Sequence, residues 1–181
     1  MHIERHLKPK IKAALQREKV IIIYGARQVG KTTMVKEILA GYEGASRYLN
    51  CDEPDIRDAF TKKTSTEMKS FIGDARLVVL DEAQRVHDIG ITLKLLHDTY
   101  QDLTVIATGS SSFELSNSIS EPLTGRNESF TLYPISFSEY AATIGDIDAS
   151  RLIEERMRFG SYPAVIASGR AEEEVRSLAR D

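Results

Sequence analysis

Residues 20–24, Val-Ile-Ile-Ile-Tyr, form an unbroken β-branched run with no polar alternation. That pattern suits a strand buried on both faces, as in a parallel sheet. Gly25 ends the run, and residues 32–40 read as a helix closed by Gly41. The same grammar recurs along the chain. Residues 47–51 suggest a short strand, and 54–60 and 66–72 suggest helices. The apolar run 77–80 is a third strand, followed by a helix near 88–100, and residues 103–108 are a fourth. Residues 128–133 fit a fifth strand, stopped by Pro134. Strands alternating with helices predict an α/β fold, a doubly wound parallel sheet flanked by helices.

Both ends of the chain depart from this alternation. Ile3, Leu7, Ile11, Ala14 and Leu15 recur at helical spacing, predicting an amphipathic surface helix over residues 4–18. Beyond Pro134, residues 136–142, 150–159 and 171–180 read as three short helices, with Gly145 and Ser161-Tyr162-Pro163 between them. The pattern therefore divides the chain into a core over residues 1–134 and a helical appendage over 135–181. The last helix lacks a Gly or Pro stop signal, so the chain is expected to be cut short there.

Composition narrows the class. With 181 residues, 41% hydrophobic and 28% charged, the chain fits one ordinary globular domain with a small appendage. A net charge of −3 does not support strong nonspecific nucleic-acid binding. Only residues 1–19 are basic, with six Lys/Arg against two Glu. Nothing approaches the ~18 apolar residues of a membrane span. No secretory leader is evident, and Cys51 is the only cysteine, so a cytoplasmic location is expected. Cys51 reads as a small buried hydrophobe. His2, His6, His87 and His97 read as surface residues rather than metal ligands.

The chemistry lies at strand ends. Gly25-Ala26-Arg27-Gln28-Val29-Gly30-Lys31-Thr32 matches G-x-x-x-x-G-K-[ST], between an expected strand and an expected helix, as a phosphate cradle requires. Gly25 and Gly30 allow backbone angles that aim successive N–H groups at one anion. Lys31 supplies charge to the β- and γ-phosphates and Thr32 a hydroxyl to Mg²⁺. The helix through Thr32 and Thr33 turns its positive end on the phosphates. Arg27 and Gln28 are expected to pair locally. Asp81-Glu82 follows the apolar run 77–80, at the end of a strand where open α/β sheets bind ligands. Asp81 suits the Mg²⁺ site, and Glu82 suits proton abstraction from an attacking water. Thr108-Gly109-Ser110 ends the fourth strand. Thr108 or Ser110 there can touch the γ-phosphate or the water, while Ser111 or Ser112 can cap a helix near Phe113. Arg126, in Leu123-Thr124-Gly125-Arg126, is a candidate finger for transition-state charge, in cis or from a neighbouring subunit.

Other nucleotide enzymes fit less well. A GTPase needs N-K-x-D and D-x-x-G, and neither string occurs. The Asn117 region supplies no transporter signature, and Glu82 beside Asp81 fits water activation better than transfer to an acceptor, as in a small-molecule kinase. The rival from another class is a nucleotide-gated switch that binds ATP and barely turns over.

Together GARQVGKTT, VVLDEAQ, TGSSS, LTGR, LYPISFSEY and GSYPAVI resemble the predicted bacterial and archaeal ATPases of the AAA+ superfamily. The resemblance spans residues 20–166. It implies a P-loop NTPase core of the ASCE type with five parallel strands, using Mg²⁺ and ATP. Lys31 and Thr32 would be Walker A, and Asp81 and Glu82 Walker B. The polar residue ending the fourth strand would be sensor 1, and Arg126 would act in nucleotide sensing. The resemblance also implies that Tyr133-Pro134 and Phe137, Glu139 and Tyr140 position the appendage, but ordinary core packing is the preferred reading of these residues. A further C-terminal domain normally follows this core. Elements missing from the site are therefore expected from that domain or from a second copy in a homo-oligomer.

Overall fold

In the computed structural model, which describes residues 1–110, 119 and 122–180, the β-branched run folds as strand β1 (Val20–Tyr24), with residues 20–23 buried. Before it lies helix α1 (Leu7–Ala14), and after it come α2 (Lys31–Ala40), β2 (Ser46–Asn50), α3 (Pro54–Phe60) and α4 (Ser65–Ile72). Strand β3 (Leu77–Asp81) leads through a 3₁₀ turn, Ala83–Arg85, into α5 (Ile89–Thr99). Then follow β4 (Thr104–Gly109) and β5 (Asn127–Thr131). All pairings are parallel, in the order β2-β3-β4-β1-β5. Alternate residues feed opposite faces. Val20, Ile22, Val78, Leu80, Val105 and Ala107 pack with α3, α4 and α5 residues such as Phe60, Met68 and Leu93. Ile21, Ile23, Leu77, Val79 and Ile106 pack with α1 and α2 through Ile11, Met34, Val35 and Ile38. Two cores explain why these strands carry no polar alternation.

This bears out the five-stranded parallel α/β fold. Element ends shift slightly: α1 is shorter than its periodic pattern, and β2 begins one residue before the run that suggested it. The appendage differs more. Among the described residues it holds five short helices, not three: α6 (Phe137–Ile144), α7 (Asp146–Arg151), α8 (Ile153–Phe159), α9 (Pro163–Ser168) and α10 (Ala171–Leu178). The helix expected over 150–159 is broken at Leu152 (φ −94°, ψ 3°), which packs on a small third cluster around Ile135, Tyr140 and Ala149. Pro163 opens α9 instead of sitting in a loop, because its fixed φ suits a first helical turn. The helix expected near Phe113, with caps Ser111 and Ser112, and Asn117 lie outside the described residues. Among the described residues no helix is long and apolar enough to cross a membrane.

Candidate functional site

Parallel pairing puts the carboxyl ends of β1, β3 and β4 side by side, and the candidate residues sit on those ends. Beyond Tyr24 the backbone of Gly25 runs so close to the next layer that a Cβ there would stand 2.5 Å from Leu132 O and 3.0 Å from Val29 Cγ2. Gln28 (φ 62°) and Gly30 (φ 98°) are both left-handed. Alternating handedness folds successive N–H groups into a concave anion nest. α2 begins directly at Lys31, and its cap residue Gly30 offers no side chain to the first-turn amides, which stay available to an anion.

Within the loop the side chains part company. Val29 is buried in the core, so only its backbone belongs to the cradle. Its carbonyl accepts from Arg5 Nη1 at 2.9 Å. Lys31 is 5% exposed and donates to the carbonyls of Gly25 (2.8 Å) and Ala26 (2.9 Å). Burial lowers its ammonium pKa below the ordinary lysine value; Glu82 and Asp81 oppose the shift and Arg27 adds to it. Arg27 and Gln28 both have partners in the structure, in keeping with local pairing.

The two motifs meet at Asp81. Thr32 Oγ1 donates to Asp81 Oδ2 at 2.6 Å across 49 residues of sequence. The same oxygen accepts from Tyr48 OH of β2 at 2.6 Å, and Oδ1 accepts from Thr108 Oγ1. Burial and the Asp81 carboxylate both push the Tyr48 phenol well above its ordinary pKa, so it remains a donor. Thr108 is fully buried, and its hydroxyl also accepts from the Glu82 N–H at 3.2 Å. Thr108 therefore links the Asp81 carboxylate to the Glu82 backbone. Ser110, partly exposed one residue past β4 and already partnered, keeps the strand-end position.

Glu82 has a left-handed backbone (φ 53°, ψ 43°), costly for a residue with a Cβ. Gln84 Nε2 donates to its Oε2 at 2.5 Å. Glu82 lines a cavity of about 350 Å³ with Arg27, Gln28, Asp52 and Arg85, and Arg85 Nε donates to Asp52 Oδ1 at 3.0 Å. A hydroxyl and a carboxylate beside an anion nest form a hard-oxygen set that suits Mg²⁺, which takes few protein ligands and leaves room for phosphates and water. Cys51 is buried with its thiol pushed up to about 12, first by burial and then by Asp81, Asp52 and Glu82, so it stays an unreactive core residue.

A second cavity, of about 130 Å³, opens on the far side of the cradle between Ile3, Gly30, Thr33, Met34, Ile135 and Pro163. Its walls come from the amino-terminal segment, α2 and the appendage, held together by Arg5. The Arg5 guanidinium donates to Val29 O (2.9 Å), Tyr133 O (2.5 Å) and Glu139 Oε1 (3.2 Å). Glu139 in turn accepts from His6 N (2.8 Å), Ser136 N (2.8 Å) and Ser136 Oγ (3.0 Å). Glu139 and Tyr140 are buried, whereas Tyr133 and Phe137 are largely exposed. Of the five residues implied to position the appendage, Glu139 and Tyr140 are the buried ones and Pro134 is half-buried.

Arg126 lies elsewhere. Its carbonyl accepts from Val20 N at 2.9 Å, at the amino end of β1, whereas the cradle follows the carboxyl end. A strand of this length separates the two by about 16 Å at ~3.3 Å per residue. Its guanidinium pairs with Asp98 at 2.7 Å. Arg126 is thus held at the opposite end of β1 from this chain's cradle. Tyr48, Gln84, Arg85, Asp52 and Arg5 were not singled out from sequence. For Tyr48 a signal existed, since the register Asn50↔Asp81 and Tyr48↔Val79 puts Tyr48 on Asp81's face by strand alternation.

Comparison with known proteins agrees with this fold. Residues 17–141 match the family model described as AAA domain. The chain is 29% identical over 161 residues to the uncharacterized protein MJ1637 of Methanocaldococcus jannaschii, covering 82% of this chain and 33% of that one. It is 28% identical over 138 residues to the uncharacterized protein Rv2008c of Mycobacterium tuberculosis, covering 76% and 30%. The chain spans about a third of the length of the curated relatives it matches. Among solved structures, the Walker-type ATPase PABY2304 of Pyrococcus abyssi superposes with a TM-score of 0.65 at 16% identity, covering 98% of this chain and 72% of that one. A structure of Pif1 helicases on forked double-stranded DNA gives a TM-score of 0.51 at 13% identity, over 75% and 45%. At these identities both show a shared fold.

Proposed function

The chain belongs to the AAA domain family, and on that premise we propose that it binds Mg²⁺-ATP and hydrolyses it. The observation that carries this reading is the 2.6 Å bond between Thr32 and Asp81, which joins the phosphate cradle to the acidic strand end. In this account the backbone amides of residues 26–32 and Lys31 hold the phosphates, with Lys31 exchanging two loop carbonyls for phosphate oxygens. Thr32 would ligate the cation and Asp81, whose carboxylate is taken up by hydroxyls, would hold it through one of its waters; when bound it would neutralise phosphate charge. Glu82 accepts the proton of the attacking water, and Thr108 fixes both acids. Ser110 senses the γ-phosphate. The cavity beside Thr33 and Met34 takes the base, adjoining the cradle on an apolar wall.

Arg126 acts in trans, in the site of a second copy. Its distance from this chain's cradle favours a companion reading, the nucleotide-gated switch: an isolated copy binds nucleotide with little turnover until a partner supplies the missing cation. Phosphate release from ATP, measured across protein concentrations, tests both. The expected result is a specific activity that rises with concentration and is lost in Arg126→Ala with nucleotide binding retained. Concentration-independent turnover unaffected by Arg126→Ala would remove the trans role. Tight binding without release at any concentration would leave only the switch.

A further inference from the structure

Asp81 is 2% exposed, and among the described residues its carboxylate accepts from three hydroxyls. Thr108 takes Oδ1 on the inner side. Oδ2, on the cradle side, accepts from both Thr32 and Tyr48 at 2.6 Å. A carboxylate oxygen has two lone-pair sites, so both of those on Oδ2 are filled. The Tyr48 phenol is itself held in place: its ring lies under Lys36 Nζ of α2, 4.7 Å from the ring centre, and its backbone is locked into the β2–β3 ladder.

Resting on the function proposed above, we infer that Tyr48 sets the choice of divalent cation by keeping Asp81 from binding it directly. Thr32 can coordinate a cation through its oxygen while its proton stays on Asp81. Asp81 Oδ2 then has no vacant site for the ion while the Tyr48 hydroxyl remains. A cation held this way must keep several of its waters. Mg²⁺ does so readily, because it dehydrates reluctantly, whereas Ca²⁺ takes six to eight oxygens and relies on direct carboxylate ligands. Removing the hydroxyl frees one lone pair on Oδ2 and lets Asp81 join the coordination shell, which helps Ca²⁺ more than Mg²⁺. Tyr48 is thus a positioning and specificity-determining residue; it does not touch the nucleotide.

Calorimetric titration of ADP onto wild type, Tyr48→Phe and Tyr48→Leu, each with EDTA, Mg²⁺ or Ca²⁺, tests this without turnover. Wild type is expected to bind ADP more tightly with Mg²⁺ than with Ca²⁺. Both variants should shift that ratio toward Ca²⁺ by about tenfold, the usual scale for a residue that orients a metal ligand, with binding in EDTA unchanged. The Phe variant keeps the ring and its stacking, and it decides alone if the Leu variant fails to fold. An unchanged ratio, a shift toward Mg²⁺, or a uniform loss in all three conditions would overturn the inference and leave the proposed function standing. Wild type that binds no ADP under any condition would overturn the proposed function first, and this inference with it.

Discussion

Glu82→Gln retains nucleotide binding and loses ATP turnover by about 10²-fold or more, the scale of a missing general base. The substitution isolates basicity because the rest of the residue's environment survives it. A glutamine carbonyl can still accept from Gln84 Nε2, and the backbone N–H still donates to Thr108. The left-handed backbone that sets the side chain's direction is also untouched. Phosphate release under saturating Mg²⁺-ATP, read beside ADP affinity for the same protein, checks this. Turnover within a few-fold of wild type would remove Glu82 from the chemistry.

Loss of Glu139 has the largest expected effect on stability. Glu139→Ala leaves the guanidinium of Arg5, a residue only 9% exposed, without its counter-charge, and breaking a buried pair in this way costs about 3–5 kcal/mol. The damage also reaches the cradle, since the same guanidinium holds Val29 O. Acid should act in the same direction. Burial alone would raise the Glu139 carboxyl, but the backbone N–H groups of Ser136 and His6, with Arg5, bring it net below its ordinary value. A depressed carboxylate contributes stability above its unfolded pKa of about 4 and loses it as the pH falls through the folded value. Urea midpoints for wild type should therefore drop on acidification below about pH 4, with a shallower drop in Glu139→Gln. A Glu139→Ala unfolding free energy at pH 7 within about 1 kcal/mol of wild type would contradict the clamp.

How much of this was legible in the sequence depends on the range over which each feature is determined. The cradle, β1 and Asp81 are local: a buried strand needs a continuous apolar run, and an anion nest needs glycines at fixed spacing, so Gly25, Gly30, Lys31 and Thr32 stand where their pattern puts them. The appendage is set by packing. The break at Leu152 follows from its seat on the third cluster, which periodicity alone does not reveal. Arg5 and Glu139 lie 134 residues apart, and no local rule pairs them. Arg126 is the instructive case. In a parallel sheet, residues that precede a strand and residues that follow one lie at opposite ends. Since Arg126 precedes β5 and Gly25 follows β1, strand direction alone separates them. Thr108 differs again: strand-end position was readable, but whether its hydroxyl meets a phosphate or an acid depends on β3 lying beside β4.

The central claim, a Mg²⁺-dependent adenine-nucleotide site built on the cradle, is tested most directly by titrating ATP, ADP and GTP with Mg²⁺ onto wild type and Lys31→Ala. Among the described residues, the Lys31 ammonium donates only to the Gly25 and Ala26 carbonyls, so its removal disturbs little besides the proposed phosphate contact. The predicted result is binding of ATP and ADP in preference to GTP by wild type, lost in a Lys31→Ala protein that still folds. Equal binding by Lys31→Ala and wild type, or no binding by either, would contradict it.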